Sequence, residues 1–162
     1  MKAASLAELR KELKHRSHDE LQELCLKLAR FKAENKELLS YLLFEIENEP
    51  QYVSSIEAYI TQAFSEINTQ SSFYIRKSIR KILRVTKKFI RYSSEKETEV
   101  LLLLHFCKTM KHFHPSIPHS QAMVSLYQRQ VTLIEKKLAA LHEDLQYDYS
   151  MELSKIKNVM GA

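Results

Sequence analysis

The chain has 162 residues, 44% of them hydrophobic, a formal net charge of +5 and a single glycine, Gly161. A length of this order suits one domain that buries roughly 70% of its unfolded surface, so neither a metal nor a disulfide staple is required for stability. One glycine argues against the usual phosphate-cradling loop, the dinucleotide-binding strand–helix turn and tight hairpins, and with them against the familiar nucleotide-dependent enzymes and β-rich folds.

Ser5-Leu-Ala-Glu8 reads as a capping box that opens a short helix with Leu6, Leu9 and Leu13 on one face. Lys14 to Arg16 form a turn, and Ser17-His-Asp-Glu20 is a second capping box. Leu21, Leu24, Leu28 and Phe31 then set a helical period that Leu38, Leu39, Leu42, Leu43 and Ile46 continue. No breaker interrupts Asp19 to Asn48, which predicts one long helix bent near Asn35. Pro50 starts the next helix, which runs to about Ile67 with Val53, Ile56, Ile60 and Phe64 inward. A turn at residues 68–72 leads to a basic helix ending near Tyr92. The run from Ser93 to Glu97 restarts a helix whose core is Val100 to Cys107. Pro115 and Pro118 break it. A last helix begins near His119 and runs past His142, with Val124, Leu126, Leu133, Leu138 and Leu141 among its apolar positions. The expected fold is all-α, a single-domain bundle of about six antiparallel helices over residues 1–162. A short superhelix of helix pairs is the alternative, although no fixed repeat period is visible.

The longest apolar run, Val100 to Leu104, is far short of the roughly 20 residues of a membrane span. The N-terminal "MKAASLAELRKELK" has no apolar core of a signal peptide. Cys25 and Cys107 sit in apolar helical patterns and read as buried, reduced thiols. Together these features predict a cytoplasmic protein.

The basic helix carries the clearest signal. At about 100° per residue, Arg76, Lys77, Arg80, Lys81, Arg84, Lys87, Lys88 and Arg91 fall within an arc of about 140°. Ile75, Ile79, Ile82, Leu83, Val85, Phe89 and Ile90 fill the opposite arc, about 160° wide. The apolar arc belongs in the core, with Phe89 buried beside Ile79, Ile82 and Leu83. The basic arc belongs in water or against a partner, with Arg80, Arg84, Lys87 and Lys88 largely exposed. Residues 71–92 hold eight basic side chains and no acidic one; without them, acidic residues outnumber basic ones in the chain. Like charges at i,i+4 repel by a few tenths of a kcal/mol per pair, so a merely solvated face normally mixes signs. Three readings stand side by side. The arc is solvated or paired internally with Glu143, Asp144, Asp148 and Glu152 of the last helix. It binds nucleic acid. Or it meets a protein partner or an anionic membrane surface. Aromatic interleaving is slight, with Tyr74 and Tyr92 flanking the arc.

Other constellations carry less. His105, Cys107, His112, His114 and His119 crowd one region, but they lack the paired short-spaced ligands of a structural zinc site, so no metal is expected. His15 and His18 flank a turn. The pairs Glu97/Glu99 and Asp144/Asp148 have no nucleophile or electrophile placed beside them and read as solvated helix faces. "LHEDLQYDY", Leu141 to Tyr149, reads as a half-buried polar seam or an interaction edge.

"LRKELKHRSHDELQELCLKLARFKAENKELLSYLLFE", "KSIRKILR", "LYQRQ" and "LHEDLQYDY" resemble an uncharacterised bacterial domain-of-unknown-function family of small all-helical proteins. The resemblance spans nearly the whole chain and implies a helical, intracellular, single-domain protein with no catalytic residue to carry over. The N-terminal helix–turn–helix also slightly resembles SAP-type DNA-binding modules, but its loop is shorter and lacks their common glycine. The expected function is a non-enzymatic interaction module, without cofactor, that uses the basic face at residues 76–91 toward a protein partner or nucleic acid. Sequence-nonspecific nucleic-acid binding is the alternative and an unrecognised enzyme the second one. A homo-oligomer is open.

Overall fold

The structure is a computed structural model and describes residues 2–114 and 120–157. The described residues form helices and no strand, so the all-α expectation holds. There are more helices than the expected six, because two long predicted helices are each interrupted. Contacts gather the chain into two compact units, Met1–Phe44 and Glu45–Ala162.

In the first unit, α1 (Leu6–Leu13) and α2 (His18–Phe31) both open on the predicted capping boxes. Ser5 Oγ accepts from the Glu8 N–H at 3.3 Å while Ser5 N–H donates to the Glu8 carboxylate at 2.8 Å. Ser17 and Glu20 repeat the exchange at 3.2 and 2.8 Å. Each box satisfies two N–H groups that a helix start leaves without intrahelical partners. The single long helix expected from Asp19 to Asn48 is not formed. Lys32 is extended, at φ −144° and ψ 144°, and separates α2 from α3 (Ala33–Ser40). The break falls three residues before the expected bend, and Asn35 itself tidies it by donating Nδ2–H to the Leu28 carbonyl at 2.8 Å. A π-helical turn, Tyr41–Glu45, follows α3. The helices of this unit are amphipathic, yet no side chain from Lys2 to Ser40 is buried. Cys25, expected in a core, is exposed.

The second unit holds α4 (Glu49–Ser65), α5 (Ser72–Ile90), α6 (Lys96–Lys111), α7 (Gln121–Leu138) and α8 (Glu143–Lys157). Asn48 caps α4 by accepting from the Gln51 N–H at 3.3 Å, and Pro50 fills a first-turn position that needs no N–H donor. Val53, Ile56, Ile60 and Phe64 are buried, as the period required. The single last helix is two. Ala139 to His142 separate α7 from α8, and Gln146 Nε2–H donates to the Leu141 carbonyl at 2.8 Å. α6 is the hub of the unit. It packs against α4, α5, α7 and α8, and Val100, Leu102, Leu103, Leu104, Phe106, Cys107 and Met110 are buried along it. A helix touching four others makes a bundle, whereas a solenoid would restrict each repeat to its neighbours.

α5 spends its apolar arc on α4 and α6. Ile75, Ile79, Ile82 and Leu83 are buried, and Thr86 joins them with its hydroxyl donated back to the Ile82 carbonyl at 3.0 Å. Phe89, expected in the core, is only half-buried; its ring stands edge-on to Tyr59 and Tyr92 at 5.9 and 6.0 Å. Ile82→Ala therefore removes core volume and should cost about 2–5 kcal/mol. Leu28→Ala, on an exposed face of α2, should stay within about 0.5 kcal/mol. Urea unfolding of the two variants checks both values; equal losses would contradict this division between core and surface.

Candidate functional site

The basic arc of α5 is positioned by the burial of the opposite arc. Between Arg76 and Arg91 the helix advances about 22 Å, so the cations form a stripe rather than a cluster. Lys77, Arg80, Lys81, Arg84 and Arg91 are exposed, and Arg76 is half-buried. Lys87 and Lys88 are also half-buried, where largely exposed side chains were expected. The Lys88 ammonium sits 4.8 Å from the Phe89 ring centre.

Phe73, Arg76, Lys77, Arg80, Lys81 and Arg84 line an open cleft of about 480 Å³. None of these cations forms an ion pair with a carboxylate among the described residues. The carboxylates proposed as internal partners lie elsewhere. Glu152 pairs with Lys108 of α6 and, at 2.5 Å, with Lys155. Asp144 lies 3.4 Å from His142. α8 packs on α6 and α7. Glu143 and Asp148 make no ion pair with the arc either.

Phe73 is the residue that the sequence reading left out. Carried three residues back from Arg76, the same wheel places Phe73 near the middle of the basic arc and Tyr74 at its edge. Phe73 is 59% and Tyr74 48% exposed, and their rings meet edge-on with centroids 5.7 Å apart. Ser71, whose Oγ accepts from the Phe73 N–H at 3.2 Å, caps α5 and fixes this pair at its first turn.

The other constellations resolve into structural roles. Glu49 accepts from Ser93 Oγ and Thr98 Oγ1, both at 2.5 Å, and so ties α4 to the start of α6. Tyr149 donates to Glu97, and Glu99 pairs with Lys137 at 2.7 Å. Burial first, and the Glu97 hydrogen bond second, push the Tyr149 phenol up. Within the stretch from Leu141 to Tyr149, Tyr149 is thus the residue that ties α8 to α6. His112 Nδ1 meets the Lys108 carbonyl at 2.8 Å, at the end of α6. His114 is exposed, and His119 lies outside the described residues. Burial pushes the Cys107 thiol up to about 12, which removes thiolate chemistry near neutral pH.

The nearest approach to a catalytic arrangement is Thr61, His105 and Glu57. Thr61 Oγ1 lies 2.9 Å from His105 Nε2, and His105 Nδ1 lies 3.7 Å from Glu57. The Thr61 hydroxyl also donates to the Glu57 carbonyl at 3.0 Å, a helix back-bond that occupies its proton. All three side chains stand on the helices α4 and α6, whose mid-helix N–H groups are committed to intrahelical bonds and supply no oxyanion donors. The geometry is that of a bridge between two helices.

No protein-family model matches the chain, and neither the curated proteins nor the solved structures contain a match to it.

Burial draws the His105 pKa below the ordinary imidazole value; Glu57 opposes that shift and Lys108 adds to it. A histidine whose folded pKa is depressed takes its proton more readily in the unfolded chain. Its stabilising contribution is complete above the ordinary value, about 6.5, and is lost as pH falls toward the folded pKa. Urea midpoints should therefore drop between about pH 7.5 and pH 5.5, and His105→Gln should remove that part of the drop. Parallel pH profiles for the two proteins would contradict the assignment.

Proposed function

We propose that this chain is a non-enzymatic helical interaction module that binds a polyanion through the exposed face of α5, and that nucleic acid, engaged without sequence preference, is the ligand this face suits best. The observation that carries the reading is the unpaired stripe of Arg76, Lys77, Arg80, Lys81 and Arg84 beside the exposed Phe73–Tyr74 pair. Phosphates are met by cations held at the spacing of successive helical turns. Bases are met by aromatic faces, and that stacking is tolerant of sequence. An acidic protein surface would use the cations but has no need of the two rings, so it is the second reading. The expected intracellular, cytoplasmic setting and the likeness to a bacterial helical family agree with either ligand. Among the described residues no helix is long and apolar enough to cross a membrane.

Non-specific affinity should lie at a Kd on the order of 10⁻⁴ to 10⁻⁶ M at physiological salt. With about four phosphate contacts, log K should fall against log salt with a slope near −3.6 for duplex DNA. Changing Lys77, Arg80, Lys81 and Arg84 together to glutamate should abolish binding and leave the helical circular dichroism unchanged, because these side chains face water. Phe73→Ala should weaken single-stranded DNA by about 1–3 kcal/mol and duplex by less. Anisotropy with labelled oligonucleotides at several salt concentrations reads all four effects on binding. Absence of binding at low salt would reject the nucleic-acid reading, and retention of an acidic polypeptide such as polyglutamate under the same conditions would transfer the face to a protein partner.

A further inference from the structure

The first unit has helices without a core. Among its described residues, no large apolar side chain apart from Tyr41 is buried, and Leu28, Phe31, Leu43 and Phe44 are each more than 60% exposed. Helices of 8, 14 and 8 residues are at or below the length that is marginal in isolation, about 12–15 residues. Ordinary monomers do not keep so much apolar surface in so small a unit unless a partner uses it.

Within this unit a cleft of about 600 Å³ opens between α2 and the run from α3 into the π-helical turn. Leu26 and Ala29, one turn apart, form one wall. Leu39 and Leu43, also one turn apart, form the other, with Phe44 at the end. Two ridges with a furrow between them are the surface into which the ridge of a third helix packs. Arg30, Lys32 and Lys36 edge the furrow, and no carboxylate lines it. None of the three cations forms an ion pair among the described residues.

We infer that this cleft docks an amphipathic helix of another protein, with leucine-type side chains on its buried stripe and acidic residues along its flanks. The apolar walls set the helix and the stripe. The one-signed rim sets the acidic flanks and selects against basic ones. A second copy of this chain fits less well, since its exposed helix α1 would bring Arg10 and Lys11 to the rim together with Glu8 and Glu12. The inference is independent of the α5 reading, because it rests on a different unit.

Two synthetic peptides test it. Both carry the same leucine stripe at helical spacing; one has glutamate flanks and the other lysine flanks. With the full chain, the glutamate peptide should bind at least about tenfold tighter than the lysine peptide. Leu43→Glu should weaken it by a similar factor, and Arg30→Glu, Lys32→Glu and Lys36→Glu together should reverse the preference. All these side chains are exposed, so circular dichroism should not change. The quadruple change at Lys77, Arg80, Lys81 and Arg84 should leave peptide binding intact. Equal binding of the two peptides, binding of neither, or loss with the α5 variant alone would overturn the inference. So would concentration-dependent dimerisation of the chain, read by sedimentation, that Leu43→Glu abolishes, because the cleft would then belong to a second copy.

Discussion

Burial of α6 is the constraint on which the second unit depends. Its apolar residues are too many for one stripe: Leu102, Leu103 and Leu104 point in three directions, and all are buried. Such a helix is stable in water only when neighbours cover most of its circumference. α4, α5, α7 and α8 do so. Their amphipathic faces turn inward for that reason, and their polar faces are left to solvent or to each other. Polar ties then fix the register: Glu49 to Ser93 and Thr98, Tyr149 to Glu97, and Tyr127, whose hydroxyl donates to the Ile156 carbonyl at 2.9 Å.

The outer faces differ in how they are charged. α7 and α8 pair across to α6 and to each other, with Lys137 on Glu99 and Lys157 on Glu135 at 2.7 and 2.6 Å. The exposed cations of α5 have no such arrangement. Repulsion among Arg76, Lys77, Arg80, Lys81 and Arg84 is small per pair, and among the described residues no carboxylate forms an ion pair with these five cations. A polyanion would offset it, and would release counterions as it did so. The covering of α6 by one side of α5 thus leaves the other side free to work as a binding face.

Elements whose signals are local were legible in the sequence. The capping boxes at Ser5 and Ser17, the inward set of α4 and the two arcs of α5 all depend on residues within a turn or two of each other. Both missed breaks have a different origin. α2 stops at Lys32 and α7 stops before Ala139 without glycine or proline; the Leu28 carbonyl near the end of α2 is taken by Asn35, and the Leu141 carbonyl in the segment after α7 is taken by Gln146. A carbonyl capped from the following helix has no local pattern to betray it. Cys25 was misplaced because periodicity shows an apolar face but not whether anything covers it. Lys87 and Lys88 are half-buried although the wheel sets them on the basic side, because a wheel shows the direction of a side chain and not how far its neighbours cover it. Phe73 lies on the same side of α5 as the cations, one turn before Arg76, but carries no charge to mark it in the sequence.

The central claim is that the α5 face, and not the acidic or apolar surfaces, receives a polyanion. Backbone amide resonances followed during titration with a short single-stranded oligonucleotide at low salt test this most directly. The account predicts shifts confined to residues from Ser71 to about Lys88, largest around Phe73 to Arg84, with α7 and α8 unmoved. Shifts concentrated in residues 2–44, or spread evenly over the surface, would contradict it.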